Sequence, residues 1–143
     1  MKINIVIVSG YFNPLHKGHI EYFHNAKQSF DKLFVIVNND SQRKLKNSKE
    51  FMLQDERKII VNELKIVDEV FISIDYDRSV CESLTMISKE YSKDNNLFFA
   101  NGGDQNNKNI PESQLCNKLG IKLLDGLGEK IQSSSWLLKK DND

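Results

Sequence analysis

The sequence is poor in the residues that mark unusual chains. Seven Gly and two Pro in 143 residues argue against a collagen-like or low-complexity disordered chain. Equal numbers of basic and acidic side chains, 20 of each, leave no net charge. That balance argues against a nucleic-acid coat or a polybasic membrane binder. Neither nucleic acid nor membrane is therefore expected as a partner, and any anionic ligand must meet a local concentration of positive charge. The early apolar run Ile3–Val8 contains Asn4 and is far too short to span a bilayer. Met1-Lys2 leads directly into it without a signal-like segment, so the cytosol is the expected compartment. Cys81 and Cys116 lie far apart without metal-ligand spacing and read as two reduced thiols. No protein metal site is expected.

What remains alternates strand-like and helix-like segments. Lys2–Ser9 is β-branched and nearly continuous in apolar character, as in a strand buried on both faces. Further strands are expected at Leu33–Val37, Glu69–Ile74, Leu97–Ala100 and Ile121–Leu124. Helical spacing predicts helices over about Gly18–Ser29, Gln54–Lys65, Val80–Tyr91, Pro111–Gly120 and Ser133–Lys140. Asn38–Glu50 is polar, carries Arg43, Lys44, Lys46 and Lys49, and reads as a mobile loop. The expected architecture is α/β: one domain over 1–143, with a Rossmann-like parallel sheet of about five strands and helices on both faces. Ligands of such sheets bind beyond the carboxyl ends of the strands, where strand order reverses.

Between the first strand and first helix lies Gly10-Tyr11-Phe12-Asn13-Pro14-Leu15-His16-Lys17-Gly18-His19. Gly10 permits a tight turn with room for a ligand, and Pro14 stiffens the loop. His16 and His19 are three residues apart, so one helical turn places both imidazoles on one side. Gly18 removes a side chain between them. Two imidazole donors beside a helix N-terminus suit phosphate oxygens. A chance match to Gly-x-Phe-x-Pro-x-His-x-Gly-His is on the order of 10⁻⁷ per chain of this composition. The alternative is a turn with two surface histidines. His24, outside the motif, reads as an ordinary helix residue.

This His-x-Gly-His segment resembles the signature of the HIGH-type nucleotidyltransferases, the cytidylyltransferase-like superfamily, with Asn13 where that pattern has Asp. Val37–Asp40, Arg43–Lys46, Asp55–Lys58 and Val67–Val70 resemble, in order, glycerol-3-phosphate cytidylyltransferases and heptose-phosphate adenylyltransferase domains. Asn101-Gly102-Gly103-Asp104 is similar to the element after the fourth strand, and Ile131-Gln132-Ser133-Ser134-Ser135 to the second signature. Leu127 stands where the glycerol-3-phosphate pattern has Arg.

The resemblance implies transfer of a nucleoside monophosphate from a triphosphate to a phosphate- or phosphonate-bearing acceptor, with release of pyrophosphate. His16, His19 and Lys46 are the implied catalytic residues. Gly10, Tyr11, Phe12, Asn13, Gly18, Lys44, Arg57, Gly102, Gly103, Asp104, Ile131, Ser133, Ser134 and Ser135 are the implied nucleotide-binding residues. CTP is the first expectation and ATP the second, with Mg²⁺ carried by the nucleotide and a homodimer as the assembly. Each later motif has a simpler reading: a solvated basic loop at Arg43–Lys49, a helix ion pair of Arg57 with Asp55 or Glu56, a turn at Asn101–Asp104, a helix cap at Ser133–Ser135. Trp136 reads as core. A nucleotide-binding module without turnover is the alternative from another class. A redox dinucleotide fold is disfavoured, since no Gly-x-Gly-x-x-Gly follows the first strand.

Overall fold

The computed structural model describes residues 2–100 and 111–124. Strand β1 (Ile3–Gly10) is followed by helix α1 (Lys17–Lys27), strand β2 (Lys32–Val37), and helices α2 (Asp40–Lys46) and α3 (Gln54–Asn62). Strand β3 (Glu69–Ile72), helix α4 (Cys81–Tyr91), strand β4 (Asn95–Ala100), helix α5 (Pro111–Leu119) and strand β5 (Lys122–Leu124) complete the order. All pairings are parallel, and the strands run β3-β2-β1-β4-β5 across the sheet. This is the expected Rossmann-like α/β sheet.

The two-residue period of β1 divides the core. Val6 and Val8 face one layer, with Tyr22, Phe23 and Ala26 of α1 and Val61 of α3. Ile5 and Ile7 face the other, with Leu84 and Ile87 of α4 and Cys116 of α5. Strand β1, its residues Ile5–Val8 at most 1% exposed, therefore has helices on both sides. Strand order reverses at β1, because β2 and β3 extend to one side and β4 and β5 to the other. The crevice beyond its carboxyl end is the place where such sheets hold ligands.

The expected mobile loop at 38–50 is instead largely helix α2. Asn39 caps it, accepting from the Gln42 amide at 2.9 Å, while Gln42 Oε1 accepts from the Asn39 amide at 2.9 Å. Asn47 closes it in the left-handed region at φ 61°. Gln42 is fully buried, yet both ends of its amide are paired: Oε1 also accepts from Asn38, and Nε2 donates to the carbonyls of Asp77 and Ser79 at 2.7 Å each. A helix held by polar side chains has no hydrophobic period to announce it. Smaller departures are a shorter α3, a β3 that ends at Ile72, and a β4 that begins at Asn95.

Candidate active site

Helix α1 opens on a histidine cap. His16 has extended backbone, and its Nδ1 accepts from the Gly18 amide at 3.0 Å. His19 Nδ1 accepts from the His16 amide at 3.1 Å, which completes a reciprocal capping box. An Nδ1 that accepts an amide proton carries none itself. The neutral tautomer of each ring therefore holds its proton on Nε2. The cap consumes the Gly18 amide, so the site's donors are the two Nε2–H groups rather than that backbone group. The ring centroids lie 3.9 Å apart with 36° between planes. Burial, then the neighbouring His16, pushes the His19 pKa down to about 4. His19 is thus a neutral donor at ordinary pH.

Phe12 supports this arrangement from below. Its ring is 2% exposed and meets His19 edge-on at 5.0 Å and Phe23 at 5.5 Å. The space left by Gly10 is filled by that ring. A Cβ on Gly10 would stand 2.7 Å from Phe12 Cζ. Phe12 itself sits at φ 52°, a conformation that costs a non-glycine residue about 1 kcal/mol or more. The Phe12 side chain packs under the histidine loop, against His19 and Phe23.

Asn13 and Arg57 also act as braces. Asn13 Oδ1 accepts from the amides of Phe51 and Met52, and its Nδ2 donates to the Lys49 carbonyl at 2.9 Å. The Asp of the family pattern could make the first two bonds but not the third. The Arg57 side chain is fully buried and ion-paired with Asp40 at 2.7 Å. Its other donors reach the carbonyls of Tyr11, Asn38 and Met52. The bonds of Arg57 thus run to Tyr11, Asn38, Asp40 and Met52, and its ion pair is with Asp40 rather than with Asp55 or Glu56. It ties the histidine loop to the start of α2, because burial of a guanidinium requires partners for all its donors.

Lys46, at the end of α2, holds its ammonium 4.4 Å from the centroid of the Tyr11 ring. Lys44 is exposed two residues earlier. Two residues apart on an α-helix means roughly 200° around the axis. The helix thus sets Lys46 against the histidine loop and turns Lys44 from that position. Gly102, Gly103, Asp104, Leu127, Ile131, Ser133, Ser134, Ser135, Trp136 and the helix expected at 133–140 lie outside the described residues. Among the described residues, no group of three or more His, Cys, Asp or Glu is arranged to hold a metal ion. No described helix is long and apolar enough to cross a membrane.

Sequence reasoning missed Gln42 and Arg78. Gln42 reads as part of the polar segment 38–50, and no sequence motif covers Arg78. The signal that could have raised Arg78 is its place after β3, at the ligand-binding end of a parallel sheet.

A 3-2-1-4-5 parallel sheet with paired imidazoles on the helix that leaves its central strand defines an α/β domain of the nucleotidyltransferase class. The chain belongs to the cytidylyltransferase-like family, which its residues 7–126 match. The bifunctional protein HldE of Blochmanniella floridana is 36% identical over 108 residues, 74% of this chain and 21% of that protein. HldE of Wolinella succinogenes is 29% identical over 138 residues, 95% of this chain and 26% of that protein. The chain thus spans at most 26% of these two relatives. FAD synthase of Picrophilus torridus is 32% identical over 72 residues, 50% of this chain and 52% of its own. The crystal structure of a lipopolysaccharide core biosynthesis protein from Thermoplasma volcanium GSS1 superposes with a TM-score of 0.63 at 27% identity, covering 85% of this chain and 92% of that one.

Proposed function

We propose that the domain transfers a nucleoside monophosphate to a phosphate- or phosphonate-bearing acceptor. The acceptor oxygen attacks the α-phosphorus in line. The bond from that phosphorus to the β-bridging oxygen breaks, and pyrophosphate leaves with the electron pair. No covalent intermediate on the protein is required. Catalysis is positioning plus stabilisation of charge on the phosphoryl oxygens.

The observation that carries this reading is the pair of Nε2–H donors held side by side by the capping box. The bonds at Nδ1 hold both rings before substrate arrives, so little reorganisation is needed as charge develops. Lys46 neutralises the departing pyrophosphate, for which it must swing from the Tyr11 ring. A magnesium ion brought by the triphosphate would offset part of its charge.

ATP takes first place as the nucleotide, ahead of the CTP expectation. A relative named for making FAD, an adenine dinucleotide, supports it. So does the resemblance of Val37–Lys46 to heptose-phosphate adenylyltransferase domains, which also favours a sugar phosphate as acceptor. CTP is the second reading, favoured by the cytidylyltransferase-like match over residues 7–126. The active form is proposed to be a homodimer, which light scattering measures.

Pyrophosphate release from ATP and CTP against a panel of phosphomonoesters tests the reaction. Release with one nucleotide and one acceptor class is expected, whereas nucleotide binding without release under every acceptor would leave a silent binding module. His16→Ala and His19→Ala should each lower turnover by about 10²–10³. His16→Asn separates cap from chemistry, since Asn is a good N-cap but lacks the Nε2 donor. It should fold like the wild type and still turn over slowly.

A further inference from the structure

The two sides of β1 end differently. Toward β2 the ladder runs to the last residue, Gly10 with Val37, and the Asn38 amide then donates to the Gly10 carbonyl at 2.8 Å. Arg57 closes that side further by donating to the carbonyls of Tyr11 and Asn38. Toward β4 the last pair is Ile7 with Phe99. Among the described residues, Val8, Ser9 and Gly10 have no β4 partner, while β4 goes on to pair Ala100 with Leu124 of β5. The two strands therefore part just before the histidine loop. A flat group can enter on that side without breaking a ladder bond, and on the β2 side it cannot.

A side chain of α1 spans this split. Tyr22 follows His19 by three residues, so the two lie on one face of the helix. Tyr22 is 6% exposed, and its hydroxyl donates to the Ala100 carbonyl at 2.9 Å. Ala100 is the last residue of β4 and the first past its final pair with β1. Packing alone does not require the hydroxyl. The ring lies in the apolar layer of Val6, Val8 and Phe23, where a phenylalanine would fill the same space. Burial raises the Tyr22 pKa, so the hydroxyl keeps the proton it donates. The helical turn that follows His19 is thus bonded to the terminal carbonyl of β4, across the place where the strands diverge.

We propose that Tyr22 is a positioning residue for nucleotidyl transfer: its hydroxyl fixes the end of β4 to the histidine helix and so sets the width of the split that receives the nucleoside. This rests on the nucleotidyl-transfer reading above. A displacement of about 1 Å at the reacting atoms can cost about 10² in rate. The imidazoles hold the phosphates, and a nucleoside in the split meets the end of β4 on its other side. With the Tyr22 bond in place, the two walls move as one body. Without it, the end of β4 can shift from α1 while the histidine cap stays intact.

Tyr22→Phe tests the proposal, because it removes the hydroxyl and keeps the ring. Calorimetric titration of ATP, CTP and inorganic tripolyphosphate into the full chain, each with magnesium chloride, reads the two halves of the site apart. The better-bound nucleotide should bind about tenfold more weakly to the variant, and tripolyphosphate within about twofold of the wild type. Equal weakening of both, or unchanged nucleotide binding, would overturn the assignment. So would a wild type that binds neither nucleotide, or one that binds no tripolyphosphate, since the histidines would then hold no phosphate by themselves. The lost bond also lowers the thermal midpoint, but a general loss of stability weakens both ligands alike and leaves their ratio unchanged. In pyrophosphate release with the best pair of the panel, kcat/KM for the nucleotide should fall while the acceptor KM stays within about twofold. A matching rise in acceptor KM would make the bond a general brace and overturn the proposal. If the wild type binds a nucleotide but releases no pyrophosphate with any acceptor, the nucleotidyl-transfer reading fails, and the titrations alone decide the role of Tyr22.

Discussion

At His19, the burial that keeps the ring neutral also makes the fold sensitive to acid. Its pKa falls from 6.5 to about 4 on folding. Between those values the unfolded chain binds more protons than the folded one. The stability from the neutral ring is thus fully present above pH 6.5 and is lost as pH falls toward 4. Protonation at Nδ1 would also break the bond from the His16 amide. Urea midpoints at about pH 7 and about pH 4.5 should therefore fall less steeply in His19→Gln than in the wild type. Equal pH dependence in both would remove His19 from the account. At this scale the histidines were legible, because a six-residue pattern in a strand-to-helix turn rarely arises by chance. Gln42 was not. Its meaning depends on which carbonyls stand opposite it, and that is not written in local spacing.

Helix α2 is the element that the polar composition concealed. It is fixed at its start by Asn39 and Asp40, and Asp40 is held by Arg57 from α3. One buried guanidinium thus joins α3, α2 and the loop of Tyr11. Arg57→Met should remove four hydrogen bonds and leave Asp40 without its partner. A loss of about 3–5 kcal/mol in unfolding free energy is expected, seen as a lower urea midpoint at similar slope. A loss below about 1 kcal/mol would mean that water replaces those bonds and that the arginine is not a brace. The strands, in contrast, were legible throughout. Their apolar runs, β-branched and doubly buried in β1 and β2, are a local property of the chain. Their ends shifted by one or two residues, because the last pairing depends on the neighbouring strand.

For the whole molecule, nucleotide binding should appear as stability. A ligand at about 100 times its Kd adds about 2.7 kcal/mol to a fold that alone binds it. For a chain of this size that is a rise in Tm of several degrees. A thermal shift with ATP larger than with CTP at equal concentration is the expected order, and the reverse would restore CTP to first place. Sequence alone determined the alternation of strands and helices, the parallel sheet and the histidine loop, since these follow from periodicity, turn chemistry and a nearly unique motif. The tertiary structure decided which motif residues are braces and which face the crevice. Phe12 and Asn13 share the histidine loop and Arg57 comes to it from α3, but their side chains fill space or satisfy backbone groups. The tertiary structure also set the segment after β3 against α2, where Gln42 donates to the carbonyls of Asp77 and Ser79, because strand order, unlike spacing along the chain, sets which loops share one end of the sheet.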